Sequence, residues 1–333
     1  MSAPNAPSPE RVLQLITGGW AAAALGSAAR HGVFAALESG GDAAEGVAQK
    51  TGISVRGAQA VLDAMTGFGL IRLAGGKYTN TPEASAFLVP GKPSYLGAMA
   101  EVMTDGLAEW AKLPAAVKTG APTTANTTDM ADNPFWHALV PAIAALSYPI
   151  AQAASERLGI AKAGPVSWLD VGGGSGVWSA VWLDANRQAR GVQIDWPGVN
   201  RIARGFVGGF GVADRFSAID GDFHLTDFGS SKYDFAIYAH IAHQEAPSDN
   251  VALFRKVRRA LKPGGTLVVN DFILDDDRTG HPFAMLFASQ MVLATRNGLT
   301  WRKADYRGWL AEAGFTSIDL VPTPSPSTLV FAS

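Results

Sequence analysis

The chain has 333 residues, 47% of them hydrophobic and 17% charged, with a formal net charge of −2. That is enough apolar material for two domains or one large one, and the near-neutral balance gives no basic face for nucleic acid or an anionic membrane. The absence of cysteine removes disulfides, thiolate catalysis and cysteine-ligated zinc together. The opening MSAPNAPSPE lacks the basic flank and apolar core of a secretory signal. The apolar stretch from Gly18 to Leu25 soon meets Arg30 and His31, too early for a membrane span. A soluble, cytoplasmic protein is the expectation.

Residues 10–37 read as helix, broken near Gly18-Gly19, with alanine-rich faces suited to close packing within the chain or across a dimer. From 43 to 81 the pattern is helix, turn at Thr51-Gly52, second helix, then a hairpin through Gly75-Gly76, which is a winged-helix arrangement. The second helix, SVRGAQAVLDAMTG, carries one Arg and one Asp, too little charge to neutralise phosphates or read base edges. Packing or dimerisation is therefore favoured over a DNA-binding regulator. Residues 95–163 predict further helices, with breaks at Pro114, Gly120-Ala121-Pro122 and Asn133-Pro134. An order–disorder change on binding stays open for 114–134. Beyond 165, strands at 166–171, 190–194, 215–219, 234–239 and 265–273 alternate with helices, which predicts a doubly wound, mostly parallel α/β sheet of Rossmann-like type. The last two strands, 316–321 and 328–332, read as an antiparallel edge hairpin. The expected domains are 1–100 (helical, winged-helix-like), 101–164 (connecting helices) and 165–333 (the α/β sheet).

The first sheet strand ends in Asp170 and runs into Gly172-x-Gly174-x-Gly176, where bare backbone lets a ligand lie against the turn. The spacing lacks the Gly-x-x-Gly tail of dinucleotide sites, and no Gly-Lys-Ser/Thr follows, so this is not an NTP loop. Asp195 closes the second strand, where a carboxylate accepts from ribose hydroxyls. Asp222-Phe223 follow the third strand and suit an adenine amine and ring. NAD shares some of these features and remains the rival cofactor.

With these three features followed in order by the Lys262-Pro263-Gly264-Gly265 turn into the apolar strand from Thr266, residues 166–321 resemble the S-adenosylmethionine-dependent small-molecule O-methyltransferases of the plant phenolic, acetylserotonin and bacterial secondary-metabolite type. The N-terminal segment resembles their dimerisation domain. Asp195-Trp196-Pro197-Gly198-Val199 matches the family's Asp-Leu-Pro-x-Val, with Trp for Leu. The resemblance implies S-adenosylmethionine held by Asp170, Gly172, Gly174, Asp195, Trp196, Asp222 and Phe223, and a homodimer. It also implies that His243 is the general base and Asp271 the carboxylate that orients it. His240 is a candidate cofactor or substrate contact, or equally a hydrogen-bonding loop residue. Two departures stand out: Gln244-Glu245 replaces the Asp-Trp after the histidine, and Thr300 falls where a second carboxylate is usual. The histidine spacing is not a compact metal motif, so no metal is expected, and Asp275-Asp276-Asp277 reads as a solvated turn. Trp110, Phe135, Trp136, Met285, Met291 and Trp301 are the candidate substrate wall, suited to a flat aromatic acceptor. The expected reaction is methylation of a phenolic hydroxyl, with C- or N-methylation, or a non-methylating homologue, as the alternative.

Overall fold

The computed structural model describes residues 7–123, 128 and 130–333. The first six residues of the Pro-rich opening, and part of the 114–134 segment, lie outside the described residues. The chain divides into two compact units, Met1–Trp110 and Ala111–Ser333, which share out the helices of 101–164 between them.

In the first unit the early helical region breaks at Thr17, giving helices Glu10–Ile16, Gly18–Arg30 and Val33–Leu37. Helices Ala44–Thr51 and Val55–Gly67 follow, then strands β1 (Ile71–Ala74) and β2 (Lys77–Asn80), paired antiparallel. The winged-helix arrangement read from the sequence is present. Ser54 starts its second helix by accepting from the Gly57 N–H at 3.0 Å. Helices Gly18–Arg30 and Gly97–Asp105 cross tightly at Gly26, where a Cβ would sit 1.9 Å from the Thr104 hydroxyl. Phe34, Leu37, Val47, Leu62, Met65 and Ile71 fill the core between these elements.

The second unit begins with helices Leu113–Thr119, Pro134–Ala142 and Ala144–Leu158. Pro114 does not break a helix; it occupies the first turn of one, where its missing N–H costs nothing. The sheet comprises β3 (Ser167–Val171), β4 (Arg190–Asp195), β5 (Phe216–Asp220), β6 (Tyr233–Ala239), β7 (Leu261–Asp271), β8 (Ile318–Pro322) and β9 (Thr328–Ala332), in the order β5-β4-β3-β6-β7-β9-β8. Strands β5 through β7 are parallel, and β9 runs antiparallel to both β7 and β8. The terminal strands are thus more than an edge hairpin, because β9 inserts inside β8. Every β9 residue is buried, so Thr-Leu-Val-Phe-Ala needs a neighbour on each side, while Ile-Asp-Leu-Val-Pro tolerates the edge.

Alternation along the strands sorts the core into two layers. Leu169, Val171, Tyr238, Val269 and Val330 face one side, with Phe254 and Leu310. Trp168, Ile237, Val268, Leu329 and Phe331 face the other, with Trp178 and Trp182. The order of strands reverses between β3 and β6, so a crevice opens beyond their carboxyl ends. No single helix among the described residues is long and apolar enough to cross a membrane.

Candidate active site

The crevice holds a cavity of about 400 Å³, within the range of small-molecule sites. Gly172, Gly173, Gly174 and Ser175 form one wall as β3 turns into helix Val177–Ala185. Gly172 and Gly174 have φ of 63° and 58°, a left-handed backbone that a side chain would strain. A Cβ on Gly172 would also meet Ile241 at 2.5 Å. Behind the loop runs a fully buried amide network absent from the sequence reading. Gln193 Nε2 donates to the Gly174 carbonyl at 3.1 Å and to Asn200 Oδ1 at 3.0 Å. Asn200 Nδ2 in turn donates to the Asp195 and Ile219 carbonyls, both at 2.9 Å. The loop is thereby tied to the ends of β4 and β5 before any ligand arrives.

Asp195 lines the cavity and accepts from the Gly174 N–H at 2.9 Å and the Trp196 N–H at 2.8 Å. Burial pushes its pKa up to about 6 against the pull of these two donors. Asp170 stands elsewhere. It shares the parity of Trp168, so its fully buried side chain turns behind the loop, accepts from the Ser179 hydroxyl at 3.3 Å and forms no part of the cavity wall. Burial raises its pKa to about 7.

Trp196, Asp222, Phe223 and His224 line the far end. Asp222 folds its own turn by accepting from the His224 N–H at 2.8 Å, and His224 pairs with Glu245 at 3.3 Å. Lys256 fixes this turn, donating to the carbonyls of Phe223 at 2.7 Å and His224 at 3.0 Å with its ammonium 4.2 Å from the centre of the Phe228 ring. Nothing in the sequence singles it out. If this turn holds the adenine of a bound nucleoside, Lys256→Met should weaken that binding about threefold to tenfold, the size of one ordinary hydrogen bond, since Lys256 acts on the ligand only through the turn. The variant's turnover at saturation should stay near wild type; kinetics with varied cofactor concentration measure both.

Strand β6 delivers Ala239, His240 and Ile241 to the cavity, and a short helical turn, Ala242–Gln244, carries His243. His243 is 5% exposed, and its neighbours His240, Ile241 and Gln244 line the cavity. Its Nδ1 stands 2.5 Å from Asp271 Oδ1, and its backbone N–H donates to Asp271 Oδ2 at 3.0 Å. Its carbonyl accepts from the Leu299 N–H at 2.9 Å, so main chain and ring are both held. Fully buried Asp271 also accepts from the Tyr306 hydroxyl and the Phe272 N–H, both at 2.8 Å. Burial pushes its pKa up, but the His243 and His240 rings and the Tyr306 hydroxyl outweigh that and hold it below the ordinary carboxylate range. Thr300, at the second carboxylate's expected position, is buried and donates to the Ala284 carbonyl at 3.0 Å. Ligand atoms of His240, His243 and Asp271 lie within 4.8 Å of one another. The 2.5 Å separation of His243 and Asp271 is that of a hydrogen bond, shorter than two donors around a first-row metal ion would keep.

Of the expected substrate wall, Trp136 lines the cavity, its indole N–H donating to the Thr128 carbonyl at 3.1 Å. Phe135 packs against it at 5.2 Å without reaching the cavity. Met291 is buried in its helix, Met285 faces solvent, and Trp301 donates to the Ala242 carbonyl at 3.2 Å beneath the His243 turn. Trp110 ends the short helix Leu107–Trp110 in the first unit. The wall instead uses Val140, Ile143, Ser147 and Trp178, with Asn297 at the rim. The acidic run 275–277 is the exposed turn expected of it, and two of its carboxylates also hold a neighbouring helix. Asp275 pairs with Lys303, and Asp276 accepts from the Ala304 N–H at 2.7 Å, anchoring helix Lys303–Glu312.

Residues 161–316 match the O-methyltransferase domain family, and residues 13–90 match the O-methyltransferase dimerisation domain. The chain is 30% identical to 3-hydroxy-5-methyl-1-naphthoate 3-O-methyltransferase of Streptomyces sahachiroi, covering 97% of this chain and 94% of that one. It belongs to the O-methyltransferase family. Another member, the tetracenomycin polyketide synthesis 8-O-methyltransferase of Streptomyces glaucescens, is 28% identical over 96% of this chain and 95% of its own. The fold is shared with human N-acetylserotonin methyltransferase, solved in complex with S-adenosylmethionine, at a TM-score of 0.85 and 22% identity over 100% of this chain and 99% of that one. The O-methyltransferase domain ends close to helix Lys303–Glu312, so it takes in the glycine loop, His243, Asp271 and Tyr306.

Proposed function

We propose that this O-methyltransferase moves the methyl group of S-adenosylmethionine to a phenolic hydroxyl on a mid-sized aromatic metabolite, with His243 as general base. The observation that carries the reading is the His243–Asp271 pair, held beside the cavity that the glycine loop opens. Bound there, S-adenosylmethionine supplies an electrophilic methyl and leaves as the neutral thioether.

The chain's own residues have three tasks. The bare turn at Gly172–Gly174 and the carboxylate of Asp195 suit the methionine end and the ribose, and Asp222 with Phe223 suits the adenine. Asp271 accepts from His243 Nδ1, which leaves Nε2 with its lone pair as the proton acceptor. As the carbon–oxygen bond forms, the acceptor's hydroxyl proton passes to Nε2, and ionised Asp271 stabilises the imidazolium. Phe287 presents an edge to the His243 ring at 4.9 Å, and Phe272 packs against Phe287 at 4.7 Å, an apolar surround that suits an aromatic acceptor and keeps water from the base. Trp136 supplies a further flat surface in the cavity. A homodimer through the first unit is supported by the dimerisation-domain match and by exposed Leu13, Leu15, Ile16 and Trp20.

Calorimetry with S-adenosylhomocysteine tests the cofactor. Asp195 is the stronger, charge-assisted acceptor for ribose when ionised, and its pKa is raised to about 6. Affinity is therefore expected to climb as pH rises from 5 to 7 and then level off. Folded protein that gives no heat at any pH overturns the cofactor assignment, and labelled methyl found on carbon or nitrogen overturns the choice of acceptor atom.

A further inference from the structure

His240 stands three residues before His243, and the chemistry above gives it no task. Its backbone is left-handed, φ 59°, which is uncommon for a residue with a side chain and persists only where the surroundings hold it. Asn270 does so at two points: its carbonyl accepts from the His240 N–H at 2.7 Å, and its side-chain Nδ2 lies 2.9 Å from His240 Nε2. The Gln244 amide donates to the His240 carbonyl at 3.2 Å, and the ring packs against Phe272 at 4.7 Å. One edge of the ring borders the cavity, with 24% of the side chain exposed, but Nδ1 is buried without a hydrogen-bond partner, 3.8 Å from Asp271 Oδ1.

Those contacts decide the tautomer. An amide nitrogen at Nε2 donates, so Nε2 is the acceptor and a neutral ring carries its proton on Nδ1. With the Asn270 amide turned over, the proton would move to Nε2 and the Nδ1 lone pair would face a carboxylate oxygen in a buried setting, which is repulsive. We propose that His240 is a positioning residue: its neutral Nδ1–H, its tautomer fixed by Asn270 and its nitrogen 3.8 Å from the Asp271 oxygen that holds His243, sets the basicity of His243. The inference rests on the reading of His243 as base. Burial, opposed by Asp271 and assisted by His243, lowers the His240 pKa to about 4, so the ring is neutral wherever the enzyme would work.

The groups facing Asp271 are His240 and His243 with their flanking turn, Tyr306 from helix Lys303–Glu312 and Tyr238 from β6, both tyrosines with pKa raised well above the ordinary value. A donor beside Oδ1 draws charge from the oxygen that stabilises the His243 imidazolium. Removing it makes Asp271 a better partner and His243 a stronger base.

The test is nitrogen-detected NMR of the histidine rings in the full-length protein, which needs no acceptor substrate. In wild type at neutral pH, His240 is expected to carry its proton on Nδ1; a proton on Nε2 overturns the proposal without any variant. In His240→Leu the His243 titration midpoint should rise by about half a pH unit or more, roughly a threefold change in proton affinity. His240→Asn places an amide nitrogen where Nδ1 stood and tolerates the left-handed backbone, so it should restore the wild-type midpoint. An unchanged midpoint in folded His240→Leu overturns the proposal. Failure of the base reading shows separately, as undiminished methyl transfer by His243→Ala.

Discussion

Replacing His243 with alanine is expected to cut turnover by roughly 10²- to 10⁴-fold, the usual contribution of a positioned general base, with S-adenosylhomocysteine binding unchanged. The two effects separate because the residues that suit the nucleoside, Gly172, Gly174, Asp195 and Phe223, line the cavity and do not include His243. The loss should shrink as pH rises towards the pKa of the phenolic acceptor, because an acceptor that ionises in solution needs no base. Single-turnover rates with acceptors of graded acidity measure this. Equal losses for acidic and weakly acidic phenols would mean that His243 orients the acceptor without taking its proton.

Asp271→Ala is expected to cost about 3–5 kcal/mol of stability, because several buried donors lose their shared charged acceptor at once. Four donors converge on this carboxylate: His243 Nδ1, the His243 and Phe272 N–H groups and the Tyr306 hydroxyl. Alanine leaves all of them without an acceptor in a dry setting, where each unsatisfied group is costly. Asp271→Asn retains volume, yet turns one oxygen into a donor facing donors, so it should recover only part of the stability and little of the activity. Urea unfolding followed by turnover measurements ranks the three proteins. The pKa of Asp271 is depressed in the fold, so its contribution is complete above the unfolded value of about 3.9 and disappears as pH falls through the lower folded value. His240 acts in the same direction over a higher window. Its folded pKa of about 4 lies below the unfolded value near 6.5, so stability declines as pH drops between them. Asp170 and Asp195, whose pKa values are raised to about 7 and about 6, act in the opposite direction over the same window, so the His240 contribution is read as the Tm difference between wild type and His240→Leu, which should shrink as pH falls from 7 to 4.

The sheet was readable because parallel strands are buried on both faces and announce themselves as short apolar runs between glycine turns. Each of the seven strands expected from such runs is present, and the carboxyl ends of β3, β4 and β6 put Gly172, Asp195 and His240 around one cavity. Asp170 shows where that kind of reading stops. It is adjacent to the loop in sequence, but strand parity sends its side chain towards Ser179. Trp301 and Met291 likewise have the composition of a substrate wall and the contacts of a scaffold.

Local order along the chain was enough to determine the winged-helix segment, the doubly wound sheet and the glycine turn, because each depends on short-range patterns or on one strand end following another, whereas the pairing of His243 with Asp271 was expected only from the family resemblance. Only the folded chain decided that Asn200 and Gln193 brace the glycine loop, that Lys256 pins the turn at Phe223, that Tyr306 supports Asp271, and which way the His240 ring presents its proton. These are contacts between polar groups far apart in sequence. A buried amide or hydroxyl carries no periodic signal of its own, and its role comes from whichever partner the packing brings within hydrogen-bonding distance.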